Sequence, residues 1–360
     1  MASPVRSVHR GSPQRVVFGP QAVDEVPSIV RELGARRILV VTSPGRAASD
    51  AGQRLVQRLG RAAAGVSTQA ETTVPPASVQ AAASEARSLA ADGVVSFGGG
   101  ACAELAKAVC WLIERESGTA LVHVNVPTTY AGAAFTPQFA MTDPGSRRTT
   151  GAEGAPAGAI VCDPVLTLDT PSVLSAESGM TALANGIECA WSATRSPEAE
   201  VLAVACVREA AASLPEVVDD PFDIDARTRM LRASVLGGRA LLNAAPGAVH
   251  ALARLLAGRA GVAHGVAVAL ILPPAVRFTA EAVPDDAARI GDALGDPDDP
   301  GGALERLRER LGLPGSLVDC GALPDDIDAV ARMSQGQAGI AANPRPMSED
   351  DVRAVLSAAF

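Results

Sequence analysis

The chain has 360 residues, 48% hydrophobic and 20% charged, so it is long enough for a large core and for two domains, and too apolar to be disordered. Its formal net charge of −9 is offset by no basic cluster, which argues against a nucleic-acid partner. There is no uninterrupted apolar run of about 18 residues, so no membrane span is expected.

The N-terminal stretch MASPVRSVHRGSPQRVVFG lacks the apolar core of a signal peptide, and a cytoplasmic protein is expected. Six cysteines (Cys102, Cys110, Cys162, Cys189, Cys206 and Cys320) form no CxxC pair and read as reduced thiols, mostly filling the core. From residue 36 the pattern alternates. The run RRILVVTS (36–43), AGVSTQA, DGVVSF and ALVHVNVP are short apolar segments. Between them lie the helical patterns ASDAGQRLVQRLGRA, SVQAAASEARSLAA and AELAKAVCWLIERE. Buried strands alternating with helices of this length predict βαβ units and a parallel sheet. The segment QFAMTDPGSRRTTGAEGAPAGAIVCDP reads as an excursion with turns, then a returning strand from Ala159 to Cys162. From about Leu166 the spacing becomes helical, with breaks expected near 215–222, 244–247, 282–286 and 296–302, and no strand is expected after about 163.

The stretch VVSFGGGACAELAKAV holds the one lysine of the chain, Lys107. A strand ending in Gly98, Gly99 and Gly100 and feeding a helix makes an anion site. Glycine allows close backbone approach, and the free N–H groups and dipole of the first helical turn favour negative charge. A second loop, PTTYAG (127–132), ends the next strand and carries Thr128, Thr129 and the sole tyrosine, Tyr130. Both loops lie at the carboxyl edge of such a sheet, where a dinucleotide-sized ligand binds.

These motifs resemble the iron-containing alcohol dehydrogenase superfamily, in particular its maleylacetate reductase branch. The family motif GGGSxxDxAK aligns with GGGACAELAK (98–107), and PTTYAG matches directly. DPVLTLDTP (163–171), SGMTALANGIE (178–188), GAVHALARLLAGRAGVAHGVAVALILP (247–273) and NPRP (343–346) follow in the family's order, and RVVFGPQAV and RRILVVTSP also fit. The resemblance implies a Rossmann-like α/β domain over 1–164 and an all-helical domain over 165–360, the dehydroquinate synthase-like fold of this superfamily. It implies a cleft for NAD or NADP, commonly a divalent metal, a small and anionic substrate, and a homodimer. Ser43, Gly98, Gly99, Gly100, Glu104, Lys107, Thr128, Thr129 and Tyr130 are the implied cofactor residues. Lys107 closes the motif and is read as pairing with Glu104 or with a neighbouring loop. Ser43 stands where many relatives carry Asp, and with Arg46 nearby NADP remains open beside NAD.

The family's metal is held by an Asp and a His four apart on one helix and by two His fourteen apart further on. His250 and His264 match the later pair. Thr181 and Asn185 replace the earlier pair with neutral, weak ligands, so these four positions are read as vestigial and no tight catalytic metal is expected. Maleylacetate reductases already depart from the four-ligand pattern, so hydride transfer is not excluded. Arg254 replaces a family histidine, AGAAF (131–135) replaces AGSEM, and Ala101 replaces a serine. Cys102, near a helix N-terminus, is read either as a thiol of lowered pKa or as packing. Arg254 and His264 are candidates for charge toward a substrate carboxylate, His250 for the proton, and Asn185 completes the catalytic set. The expected activity is an NAD(P)H-dependent reductase acting on a small carbonyl or enoyl acid. The alternative is a non-redox enzyme of a biosynthetic pathway, a cyclase, lyase or dehydratase on the same scaffold, and a non-catalytic binding protein is a third reading.

Overall fold

The computed structural model describes Gly11 and residues 14–360, and the rest of the N-terminal stretch read for a signal sequence lies outside the described residues. The chain divides into two compact units. Residues 14–129 and 133–170 form one; residues 130–132 and 171–360 form the other.

In the first unit the elements run β1 (Arg15–Phe18), α1 (Val26–Glu32), β2 (Ile38–Val41), α2 (Pro44–Ala48), α3 (Asp50–Leu59), β3 (Ala63–Ser67) and α4 (Pro76–Ser88). They continue through β4 (Gly93–Gly98), α5 (Gly100–Ser117), β5 (Val122–Pro127), β6 (Gln138–Asp143), β7 (Arg148–Glu153) and β8 (Ala159–Cys162). Six strands form a parallel sheet in the order β1-β8-β5-β4-β2-β3. β2, β4 and β8 are buried along their whole length, which is why they read as unbroken apolar runs. One face packs Ile38, Val40, Val95, Phe97, Val124 and Val126 against α1 and α3; the other packs Leu39, Val41 and Val94 against α4 and α5. Each fully buried Val, Leu, Ile or Phe contributes about 1.5–3 kcal/mol relative to exposure, so these two cores hold the unit together.

Two features differ from the sequence reading. RVVF, assigned to no element in the sequence, forms the edge strand β1. The excursion after Gln138 is an antiparallel hairpin, β6 paired to β7, not a run of turns. Its second strand alternates exposed and half-buried residues, so it carries little apolar signal.

Lys107 explains how the hairpin is attached. On α5 it is buried, 2% exposed, and its Nζ donates to the carbonyls of Ala133 (2.9 Å), Thr136 (3.2 Å) and Gln138. The Glu104 carboxylate, one turn earlier, accepts the Ala140 N–H at 3.3 Å. The lysine thus serves the neighbouring loop. Three convergent carbonyls suit a compact ammonium and leave no room for a planar guanidinium.

The second unit is helical throughout its described length after residue 171. It comprises α6 (Ser172–Trp191), α7 (Pro197–Asp219), α8 (Ile224–Ala240), α9 (Ala248–Ala260), α10 (His264–Ala280), α11 (Pro284–Leu294), α12 (Pro300–Arg310), α13 (Pro324–Ser334), α14 (Ala338–Ala342) and α15 (Glu349–Ala358). α6 packs against α7, α8 and α10 and is buried continuously from Ser178 to Trp191. The break expected from residue 215 begins later: Pro215 sits inside α7, which continues to Asp219. Proline forfeits only one intrahelical bond, and packing against α6 and α8 offsets it. Pro273 and Pro274 are likewise inside α10. Among the described residues no helix is long and apolar enough to cross a membrane.

Two measurements check this account. Lys107→Met leaves three buried carbonyls without their donor, and we expect about 3 kcal/mol of destabilisation in urea unfolding. His123, buried on β5 and sharing a 3.0 Å hydrogen bond with Ser96, has its pKa pulled from 6.5 to about 3 by burial and then by the Lys107 charge. The folded protein therefore keeps this imidazole neutral where the unfolded chain takes up a proton. Its contribution is intact above pH 6.5 and falls by about 1.4 kcal/mol per unit as pH drops from 6.5 toward 3. His123→Gln removes that part of the acid sensitivity, measurable as a flatter dependence of unfolding free energy on pH.

Candidate functional site

In the sheet unit the sequence order of the strands reverses beside β2: the chain steps outward to β3 and then returns to β4 on the other side. The carboxyl ends of β2 and β4 flank this switch point, where open α/β sheets bind ligands. Thr42 Oγ1 donates to the Phe97 carbonyl at 2.7 Å and ties the two ends together. Gly98 has φ of +142°, and a Cβ there would lie 2.5 Å from Cys102 Sγ, so only glycine fits. Gly99 stands as the cap of α5 with no side-chain partner, and Gly100 begins the helix. The Thr128 N–H donates to the Gly98 carbonyl at 3.0 Å, and Thr129 packs over Gly99. Thr128 Oγ1 is buried with no hydrogen-bond partner.

Other expected cofactor residues are placed differently. Ser43 accepts the Arg46 N–H at 3.4 Å and caps α2. Arg46 approaches Gly98 through its Cγ, while its Nη2 donates to Thr170 Oγ1 at 2.6 Å. Thr170 Oγ1 in turn donates to the Thr128 carbonyl at 2.8 Å. Lys107 and Glu104 are turned into the hairpin, as described above. Tyr130 belongs to the helical unit, where its ring is fully buried and its hydroxyl accepts from Arg227 Nη1 at 3.1 Å. Arg227 also donates to Ser175 Oγ at 3.0 Å and the Pro221 carbonyl at 2.7 Å. Tyr130 thus fastens its loop in the core, because a phenol among apolar helices needs a buried partner and Arg227 supplies one.

Cys102 resolves to the packing reading. Burial pushes its thiol up to about 11, against the lowering effect of nearby Arg46 and backbone hydrogen bonds.

In the helical unit the candidate residues converge on α6, α9 and the start of α10. His250 and Arg254 lie one turn apart on α9, and the His264 ring is 6.1 Å from that of His250. Arg254 is exposed. Burial, then the charges of His250 and Arg254, hold the His264 pKa at about 3. That corrects one expectation: His264 is neutral at physiological pH and offers no positive charge.

Thr181 and Asn185 face inward on α6. The Thr181 hydroxyl donates to the Glu177 carbonyl at 3.0 Å, within its own helix. Asn185 Nδ2 donates to the Ala131 carbonyl at 3.0 Å. Glu188, one turn beyond Asn185, was not singled out in the sequence. Its carboxylate is 2% exposed, accepts the Val249 N–H at 2.6 Å through Oε1, and accepts His250 Nδ1–H at 2.5 Å through Oε2. A Cβ on Gly247 would lie 2.8 Å from Oε1, so the glycine before α9 makes space for this carboxylate. His250 Nε2 is buried and unpartnered. The available signal was an acidic residue in the apolar last turns of α6, three positions after Asn185. Among the described residues no group of three or more His, Cys, Asp and Glu is gathered as a metal site.

Comparison with known proteins bears on this arrangement. Residues 13–164 match the family model for iron-containing alcohol dehydrogenase, and residues 175–360 match that for the C-terminal part of the same family. The chain belongs to the iron-containing alcohol dehydrogenase family. Maleylacetate reductase 2 of Cupriavidus pinatubonensis is 37% identical over 353 residues, 97% of this chain and 95% of that protein. Maleylacetate reductase of Sphingobium indicum is 35% identical, covering 96% of this chain and 95% of that one. The crystal structure of maleylacetate reductase from a Rhizobium species has a TM-score of 0.87 at 31% identity, covering 99% of this chain and 98% of the other. A 1,3-propanediol oxidoreductase structure has a TM-score of 0.92 at 26% identity, covering 99% and 100%. Within the family the chain stands in the maleylacetate reductase-like branch, and it is an NAD(P)-dependent oxidoreductase. The Rossmann-like sheet unit and helical unit are the family's fold.

The thiol placement gives a direct check on the family's glycine loop as it stands here. Five of the six cysteines are buried and Cys320 is half-buried. Burial raises every one of these thiols above the usual range, Cys110, Cys162 and Cys206 to about 12. At neutral pH we expect an aromatic disulfide reagent to titrate Cys320 alone in the native protein and all six after unfolding; rapid labelling of Cys102 would contradict the packing of Gly98.

Proposed function

We propose that this chain is an NAD(P)H-dependent reductase of maleylacetate reductase type, acting on a small anionic carbonyl or enoyl acid without a tightly bound catalytic metal. The relatives' names supply the substrate class: maleylacetate, or an unsaturated oxo acid of similar size and charge. The homodimer implied by the family resemblance is part of this reading.

The observation that carries it is the use made of Thr181 and Asn185. The Thr181 hydroxyl proton is engaged in α6, and the Asn185 amide holds the Ala131 carbonyl. At the two positions that the family fills with Asp and His, this chain offers only a hydroxyl and an amide oxygen, neither of them anionic. Fe²⁺ and Zn²⁺ bind such neutral oxygens weakly, so the donor set does not fit the family's metal. No step of the reaction is therefore routed through one.

The reaction needs a hydride donor, a seat for the substrate's carboxylates and a proton source. Gly98–Gly100 and the first turn of α5 offer backbone N–H groups to the cofactor's pyrophosphate, with the aliphatic stem of Arg46 beside Gly98. No acidic side chain stands at Ser43 to repel a 2′-phosphate, so both NADH and NADPH are accommodated. Exposed Arg254 offers a bidentate partner to a substrate carboxylate. A nicotinamide held by these residues would supply a hydride, with its electron pair, to the electrophilic carbon. The π pair of the C=O or conjugated C=C moves to oxygen, and His250 Nε2–H supplies the proton that completes the reduction.

The test is turnover of maleylacetate by purified enzyme, followed by loss of nicotinamide absorbance. We expect activity unchanged by chelators and not raised by added Fe²⁺ or Zn²⁺, with His250→Ala lowering kcat about 10²–10⁴-fold. Metal-dependent activity would overturn the metal-free reading. Failure to bind either nicotinamide nucleotide, or turnover without one, would return the enzyme to the non-redox alternative.

A further inference from the structure

We propose that Glu188 is a positioning residue that locks His250 in one orientation and one tautomer, so that only Nε2 exchanges a proton with the substrate. This rests on the reading of His250 as the proton donor.

The geometry is specific. Gly247 caps α9 without a side-chain acceptor, so the first N–H groups of the helix need a partner from elsewhere. Glu188 supplies it from α6: Oε1 takes the Val249 N–H, and Oε2 takes His250 Nδ1–H. A carboxylate has no proton to give, so the ring nitrogen facing it must be the N–H. Nδ1 is thereby occupied by the carboxylate, and Nε2 is the ring atom left to meet the substrate. Nε2 is itself buried and without a partner among the described residues, an arrangement that leaves its bonding capacity for a ligand. During reduction the imidazolium gives its Nε2 proton to the oxyanion or the enolate carbon. It relaxes to the neutral Nδ1–H ring that the carboxylate already holds. No other group changes charge.

The replacements at Thr181 and Asn185 leave this carboxylate–histidine pair in place although they remove the neighbouring donors. What would orient an imidazole toward a metal in a complete site here orients it toward the substrate.

The informative variant is Glu188→Gln. Its amide oxygen still accepts the Val249 N–H, which preserves the start of α9. Its NH₂ then faces His250 Nδ1, which must become an acceptor, and the ring proton moves to Nε2. Neutral-ring ¹⁵N shifts, recorded at about pH 9 and assigned with His250→Gln, read the tautomer without reference to activity. We expect the wild type to show Nδ1–H and Glu188→Gln to show Nε2–H. We expect kcat to fall about 10²–10⁴-fold, with KM for NADH within about threefold and thermal stability nearly kept. Glu188→Gln with wild-type kcat and tautomer, alongside an inactive His250→Gln, would overturn the role of Glu188 alone. An active His250→Gln would overturn the proton donor itself, and the inference with it.

Discussion

One buried carboxylate organises the helical unit around the candidate chemistry. Glu188 sits in α6, the helix most completely enclosed by its neighbours, where an isolated negative charge costs several kcal/mol. It is tolerated because both oxygens find N–H donors on α9: one the backbone of the first helical turn, the other a ring nitrogen. The partial positive charge of a helix N-terminus favours the same anion. Removing any part of this set would leave a charge or a donor stranded. The position of α9, the identity of residue 247 as glycine and the orientation of His250 therefore follow from a single requirement.

The same logic bears on Thr181 and Asn185, which stand where the family's first pair of metal ligands would be. Asp and His at the Thr181 and Asn185 positions would be polar groups needing the ion as partner. Threonine satisfies its hydroxyl inside the helix, and asparagine satisfies its amide on the Ala131 carbonyl. Each replacement is self-sufficient in the absence of an ion, which aspartate or a lone buried histidine would not be. His264 has no carboxylate of its own: burial, with His250 and Arg254 beside it, holds its pKa down to about 3.

How much of this was legible in the sequence depends on what signal each residue carries. Buried parallel strands announce themselves as apolar runs, and the glycines of the β4–α5 turn announce a backbone no other residue adopts. The edge strand β1 and the exposed strand β7 carry no such run, because half of each faces outward. The contact that Tyr130 makes in the helical unit was not legible either, for a different reason. Its motif is the family's, but the ring's partner, Arg227, lies 97 positions away and no local pattern links them. Glu188 was missed on similar grounds: the donors that make its burial possible lie 61 and 62 residues downstream. Long-range satisfaction of buried polar groups is the information that single-sequence pattern reading lacks.

Lys107 shows where composition and structure meet. In a chain whose other cationic chains are arginine or histidine, genome bias alone would favour arginine here too. The carbonyls of Ala133, Thr136 and Gln138 converge on one point, and three donors on a tetrahedral nitrogen satisfy them together. A guanidinium presents its donors in a plane around a larger group, and would meet two carbonyls by displacing the third. The motif's closing lysine is therefore held by the geometry of the segment after PTTYAG.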